Sequence, residues 1–236
     1  MAGTLFLGTS GFAYPEWKGT FYPAHVRPRD MLPYYAGRFR SVEINYTFRH
    51  EVTEETLAAW AAATPETFVF AIKAHQLITH SRRLREVRDE VSLFLERVSM
   101  LGPRLGPILF QCPPTLPFDG PLIEAFLAYL PPWHRYAFEF RHPSWLASRD
   151  LLTGRGAAWC VSETDESAVI DEHLAAWPFV YLRLRKTEYS DDELREWAGR
   201  IQPALDGGAT IFCYFKHEDE GASPKMAKRL EAMLPS

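Results

Sequence analysis

Eight short runs rich in β-branched and aromatic residues, each bounded by Gly, Pro or polar residues, constrain this 236-residue chain more than any other feature. They are Thr4 to Gly8, Arg40 to Tyr46, Thr67 to Lys73, Gly106 to Gln111, Arg135 to Arg141, Gly156 to Val161, Pro178 to Leu184 and Ala209 to Phe215. Helical spacing fills the intervals. It is clearest from Glu86 to Leu101, where Val87, Val91, Phe94, Val98 and Leu101 recur at three- and four-residue steps. Ser190 with Glu193 forms a capping box that opens a helix carrying Leu194, Trp197 and Ile201, and Glu54 and Glu55 put negative charge in the first turn of a Thr53 to Ala63 helix. Successive runs start about 29 residues apart, close to the ~30 of a βα unit. The expected fold is α/β: a single (β/α)8 TIM-type barrel over residues 1–236, with eight parallel strands and outer helices.

Hydrophobic residues make up 47% of the chain, enough for one large core. The balance of 26 Lys plus Arg against 30 Asp plus Glu, a net charge of -4, excludes a polybasic nucleic-acid tail and an acidic disordered chain as overall descriptions. Cys112, Cys160 and Cys213 are far apart and form no C-x-x-C pair, so neither a disulfide framework nor a cysteine-based zinc site is indicated. No basic leader region opens the chain and no apolar run approaches ~20 residues, so a soluble cytoplasmic protein without membrane association is expected.

In such a barrel alternate strand residues point inward, and the C-terminal strand ends form the floor of the active site. If Val42, Ile44 and Tyr46 face the helices, Glu43 and Asn45 face inward; likewise Phe68, Phe70 and Ile72 outside leave Lys73 inward, with His75 just beyond. The same parity turns Gln111, Glu139, Arg141, Arg183, Arg185, Tyr214 and Lys216 toward one mouth. Lys73, Arg141, Arg183, Arg185 and Lys216 against Glu43 and Glu139 leave a charge of +3 inside a negatively charged protein, which an anionic phosphate or carboxylate ligand would offset. Inward Glu and Arg residues pairing as a polar plug are the structural alternative. Tyr14, Trp17 and Trp145, in aromatic loops after the first and fifth strands, are candidate pocket walls, with core packing as their alternative reading.

No phosphate-loop, dinucleotide-binding, hydrolase-elbow or zincin motif occurs. His75, His80, His142 and His217, with Glu43, Glu139 and Glu218, leave a divalent metal open although no spacing demands one, and no other cofactor is expected. His217 to Glu220 reads as a solvated turn, and Arg82, Arg83, Arg85 and Arg88 form a basic cluster that reads first as a charged helix face.

Several motifs in order are recognisable: Gly8-Thr9-Ser10-Gly11 with Tyr14 and Trp17, Phe21-Tyr22-Pro23, Val42-Glu43-Ile44-Asn45 with Phe48, Phe70-Ala71-Ile72-Lys73-Ala74, Thr79-His80, Leu109-Phe110-Gln111-Cys112-Pro113-Pro114 and Phe138-Glu139-Phe140-Arg141-His142. Together they resemble the DUF72 (YecE-like) family. The resemblance implies a TIM-type barrel and no established reaction, and it carries over Glu43, Asn45, Lys73, His80, Gln111, Glu139 and Arg141. That fold is similar to metal-dependent sugar isomerases of the xylose isomerase type and repair enzymes of the endonuclease IV type, a likeness that does not transfer function. The chain departs from the family pattern at Arg183-Leu184-Arg185-Lys186, where many members show Arg-Leu-His-Gly, and at Phe215-Lys216-His217, where many have an asparagine-rich stretch.

The expected function is an enzyme acting on a small anionic metabolite, phosphorylated or carboxylated, such as a sugar phosphate or sugar acid. Glu43 and Glu139 are assigned to move protons and Lys73 to serve as electrophile, second base or Schiff-base amine. Arg141, Arg183, Arg185 and Lys216 are assigned to hold the anion, and Ser10, Asn45, His75, His80, Gln111 and Tyr214 to contact and orient the ligand. A nucleic-acid-processing protein, disfavoured by the overall acidity, and a non-catalytic ligand sensor are the alternatives. Oligomeric state is left open.

Overall fold

A computed structural model describes residues 3–167, 174, 179–216 and 221–234. All eight expected strands form: β1 (Thr4–Thr9), β2 (Ser41–Ile44), β3 (Val69–Lys73), β4 (Leu105–Cys112), β5 (Tyr136–Phe140), β6 (Ala158–Glu163), β7 (Val180–Leu184) and β8 (Thr210–Phe215). They lie in the order 1-8-7-6-5-4-3-2, each neighbouring pair parallel. Around them, among the described residues, stand α1 (Pro28–Ala36), α2 (Glu54–Ala62), α3 (Arg88–Ser99), α4 (Gly120–Ala128), α5 (Arg149–Thr153), α6 (Asp191–Asp206) and α7 (Ala222–Met233). Pro178 and the turn from His217 to Glu220 lie outside the described residues.

Local chemistry sets the helix ends. Thr53 caps α2 by accepting the Thr56 N–H. The capping box of α6 is complete: Ser190 Oγ accepts the Glu193 N–H while Glu193 returns a carboxylate oxygen to the Ser190 N–H at 2.8 Å. The parity expected of the strands also holds. Val42, Ile44, Phe70, Ile72 and Cys213 pack outward beneath the helices, while Ala71, Leu109, Ala137, Ala158, Cys160, Phe179, Tyr181, Phe212 and Tyr214 fill the barrel. Tyr46 departs from that alternation because β2 ends at Ile44; its ring is 53% exposed.

The barrel closes differently at β1 and β2, the two ends of the strand order. No ladder joins them; they meet at a bridge between Ser10 and Glu43, where the Gly11 N–H donates to the Glu43 carbonyl at 2.8 Å. Below that bridge the strands approach so closely that a Cβ on Gly8 would stand 2.0 Å from the Ser41 carbonyl oxygen. The fully buried Tyr35 of α1 serves the seam from the side, its hydroxyl accepting the Thr9 N–H at 2.8 Å and donating to the Ser41 carbonyl at 3.2 Å. A side chain thus takes the place of a ladder bond, and the buried backbone groups it serves have to be satisfied. No helix among the described residues is long and apolar enough to cross a membrane.

Tyr35→Phe keeps the ring and removes the hydroxyl, so it should cost about 1–3 kcal/mol of stability by leaving buried backbone groups unpaired. Urea unfolding reads this directly; a loss below about 0.5 kcal/mol would show that the seam does not depend on the phenol.

Candidate functional site

Above the apolar filling, polar residues occupy the C-terminal ends of the strands at one level. Gln111 is registered beside Glu139, Ser162 beside Arg183, and Ser10 beside Glu43. Arg183, near the C-terminal end of β7, reaches across the interior: its Nη2 donates to Glu43 Oε1 at 2.8 Å and its Nη1 to Glu139 Oε2 at 2.5 Å. Glu43 also accepts from Ser10 Oγ at 2.8 Å, Asn45 Nδ2 at 3.1 Å and the Tyr181 hydroxyl at 2.9 Å. Glu139 also accepts from Gln111 Nε2 at 2.9 Å on both oxygens and from Arg141 Nε at 2.9 Å.

These contacts revise three expected roles. Burial pushes the Glu43 and Glu139 carboxyls up, but the Arg183 guanidinium and the hydrogen bonds outweigh it, and Arg141 adds to this at Glu139, so Glu43 is lowered and Glu139 is held well below the usual carboxylate range. Neither carboxylate is poised to exchange a proton near neutral pH. Arg183 is 1% exposed and committed to both carboxylates, so it fixes the floor of the mouth and is not a free anion clamp. Its Nε–H alone is left without a protein partner.

Three other cations remain uncommitted. Lys73, Arg185 and Lys216 have no carboxylate within ion-pair distance among the described residues. Lys73, at the end of β3, is 8% exposed, and its ammonium sits 3.8 Å from the centre of the Phe48 ring. Burial, reinforced by the charge of Arg183 and partly offset by Glu43 and Glu139, lowers its pKa to about 8. Arg185 is lowered by the same two causes, burial and then Arg183.

Arg185 and Lys216 stand where two cavities meet. One, of about 490 Å³, is lined by Ser10, Tyr14, Asn45, Phe48, Lys73 and Gln111 among others. The other, of about 640 Å³, runs over Arg141, His142, Trp159, Ser162, Thr164 and Asp165. Tyr14 roofs the first, its hydroxyl donating to the Ser10 carbonyl at 2.7 Å, and burial next to Glu43 pushes that phenol up to about 12. His80 stands edge-on to Phe48 at 4.9 Å beside Lys73, and burial and the Lys73 charge lower its pKa.

Four expected contacts lie elsewhere. Trp17 is fully buried between Tyr14, Phe21 and Tyr22. Trp145 stacks on Phe140 at 3.6 Å with its N–H on the Leu116 carbonyl, so neither tryptophan walls the mouth. Tyr214 is sealed in the barrel one layer down, hydrogen-bonded to Ser41 Oγ at 2.7 Å. His75 faces a separate small groove with His50, Glu51 and Arg97. Conversely, the site also includes Tyr181, which shares the inward parity of Arg183 on β7, and Ser162, which lies just past the expected Gly156 to Val161 run; Thr164 and Asp165 follow β6 and carry no sequence signal.

Among the described residues no group of three His, Cys, Asp or Glu side chains is placed to hold a metal ion, and His217 and Glu218 lie outside them. The basic cluster is divided: Arg85 pairs with Asp119 at 2.9 Å and Arg88 lies over the Tyr129 ring, while Arg82 and Arg83 are exposed.

An eight-stranded parallel barrel with a cationic, carboxylate-floored mouth defines a TIM-type barrel protein with its polar site where such barrels carry function. The family described as "Protein of unknown function DUF72" matches residues 6–236, and the chain belongs to that family. The chain is 32% identical to the UPF0759 protein YecE of Escherichia coli (strain K12) over 144 residues, 61% of this chain and 50% of that protein. With the UPF0759 protein YunF of Bacillus subtilis (strain 168) it shares 27% identity over 182 residues, 70% of this chain and 62% of that one. The matches thus span less than two thirds of either relative's length. Among solved structures, a DUF72 family protein from Thermotoga maritima MSB8 aligns with a TM-score of 0.86 at 22% identity, covering 98% of both chains. One from Enterococcus faecalis V583 aligns at 0.79 and 15% identity, covering 98% of this chain and 95% of the other. These likenesses show the fold.

Arg183→Met removes the charge between two buried carboxylates and should destabilise the protein at pH 7 by about 3–5 kcal/mol. In the parent protein both folded carboxyl pKa values lie below the unfolded ones, so their stabilisation is present above the unfolded pKa and is lost as pH falls. Without Arg183 those values rise and the carboxyls protonate readily, so the deficit should shrink on acidification toward pH 4.5. Urea unfolding at several pH values checks this, and a pH-independent deficit would assign the loss to packing.

Proposed function

We propose that this protein is an enzyme acting on a small anionic metabolite, phosphorylated or carboxylated, held at the C-terminal mouth of the barrel, with Lys73 as the group that transfers a proton. The observation that carries this reading is the convergence of Lys73, Arg185 and Lys216, none paired with a carboxylate among the described residues, above a floor whose own charges are already paired. Like charges brought together away from bulk water repel strongly, and an anion entering between them offsets that repulsion. Arg141, half-committed to Glu139 and 41% exposed along its side chain, supplies further donors. Ser162 and Thr164 in the adjoining cavity suit the hydroxyl groups of a sugar-like substrate.

With a pKa of about 8, Lys73 is neutral in about a tenth of molecules at pH 7, a base near the operating range. Glu43 and Glu139, held ionised, position the cations and do not move protons. The reaction class supported is proton abstraction next to the bound anion, with the cations stabilising the charge that develops.

Two outcomes test this. In a thermal-shift panel of sugar phosphates and small carboxylates, a ligand at 100 times its Kd stabilises by about 2.7 kcal/mol, roughly 5–10 °C for a chain of this size. That shift should vanish in Arg185→Ala/Lys216→Ala and persist in the exposed-helix control Arg200→Ala; the same response in the double variant would sink the anion site. For a turned-over ligand, kcat/KM should rise with pH through an apparent pKa of about 8 and be lost in Lys73→Met, with binding weakened but still detectable because Arg185 and Lys216 remain. Turnover that survives Lys73→Met would remove the lysine from the chemistry.

A further inference from the structure

We infer that the anion bound at this mouth carries an aromatic ring, and that the ring lies in an apolar cleft opening from the cationic cavity; this rests on the anion-binding reading above. The cleft, of about 470 Å³, is walled by Phe12, Tyr14, Ile44, Tyr46 and Trp60 with Thr56, and no ionisable acid or base other than its tyrosines lines it. It shares Tyr14, Asn45 and Tyr46 with the cavity that holds Lys73, Arg185 and Lys216, so the two are adjoining lobes with opposite chemistry. A ligand filling both has one charged end and one flat apolar end.

The walls are fixed in advance. Thr56 and Trp60 are four residues apart on one face of α2, and the Trp60 ring is backed by a stacked Phe70 at 5.7 Å. Tyr14 is held by its bond to the Ser10 carbonyl and by Trp17 behind it at 4.8 Å. Phe12 rests against Tyr35 at 6.2 Å. Gly11, at φ +97°, lets Tyr14 fold over, since a Cβ there would stand 2.2 Å from the Tyr14 hydroxyl. Tyr46 keeps 53% of its surface in water at the junction of the lobes. Prearranged rings lose little side-chain freedom on binding, and aromatic pairs in offset or edge-on contact gain beyond the area they bury. The cleft also sits over the β1–β2 seam, where Gly11 and Ile44 form its floor.

Phenyl phosphate, cyclohexyl phosphate and methyl phosphate, titrated by calorimetry into the intact protein, separate the two lobes. The expected result is phenyl phosphate binding about tenfold tighter than methyl phosphate and measurably tighter than cyclohexyl phosphate. Trp60→Leu, which lines the cleft and not the cationic cavity, should erase most of that advantage and leave methyl phosphate affinity unchanged. Equal affinities for phenyl and methyl phosphate would overturn the aromatic assignment with the anion site intact. Phenyl and cyclohexyl phosphate binding equally would overturn it in favour of a merely apolar group. If none of the three binds, the site takes no phosphate and the aromatic inference falls, while the anion reading is decided separately by the carboxylates of the thermal-shift panel.

Discussion

One guanidinium holds the polar end of this barrel together. Arg183 reaches from β7 to Glu43 on β2 and Glu139 on β5, joining strands that are not neighbours through two ion pairs sealed from water. Taking three charges out of water is expensive, and it is tolerated because the remaining acceptor sites are also met: Ser10, Asn45 and Tyr181 at one carboxylate, Gln111 and Arg141 at the other. The triad also decides what is left for a ligand. With Arg141 supplying the second positive charge at Glu139, the two acids are offset, and Lys73, Arg185 and Lys216 are left without a paired carboxylate among the described residues.

The layers beneath depend on a similar exchange of roles between side chain and backbone. At the seam between β1 and β2, the Tyr35 hydroxyl satisfies strand groups that a ladder would otherwise satisfy. The same seam carries the Ser10–Glu43 bridge, so the last point of barrel closure is also a wall of the site. Closure and site geometry are therefore coupled through Ser10, whose hydroxyl bonds to the carboxylate that Arg183 holds from the opposite side.

The strands were legible because their composition alternates with helical spacing at a constant interval, and facing was legible because side chains alternate strictly along each strand. Hence Glu43, Lys73, Gln111, Glu139, Arg183 and Arg185 were all assigned inward. Depth and pairing were not legible. Arg183 and Arg185 share a parity and a chemistry, yet two residues along the chain separate a sealed ion pair from a half-buried, uncommitted cation at the junction of two cavities. That difference depends on which carboxylates stand opposite across the barrel, a relation between strands far apart in sequence. Trp17 and Trp145 show the same limit: a loop aromatic faces the site or the core according to what packs behind it, and here Tyr22 and Phe140 draw both inward. Tyr46 and Trp60, which do border the site's apolar edge, lie just past a strand end and on a helix, where strand parity says nothing.

The charge that pins the carboxylates also acts on Lys73. Arg183 lowers the Glu43 and Glu139 pKa values and, by repulsion, lowers that of Lys73, in both cases by favouring the form that reduces local positive charge. The carboxylates are thereby moved away from the neutral range while the lysine is moved toward it. Lys73, lowered to about 8, is brought toward neutral pH, while the acids serve as fixed negative charge. Anion binding acts in the reverse sense, because negative charge beside Lys73 favours its ammonium form. On the function proposed above, a proton taken up by Lys73 from an atom next to the bound anion would be stabilised by the same anion that positioned it, which would couple ligand binding to proton transfer without any movement of the buried triad.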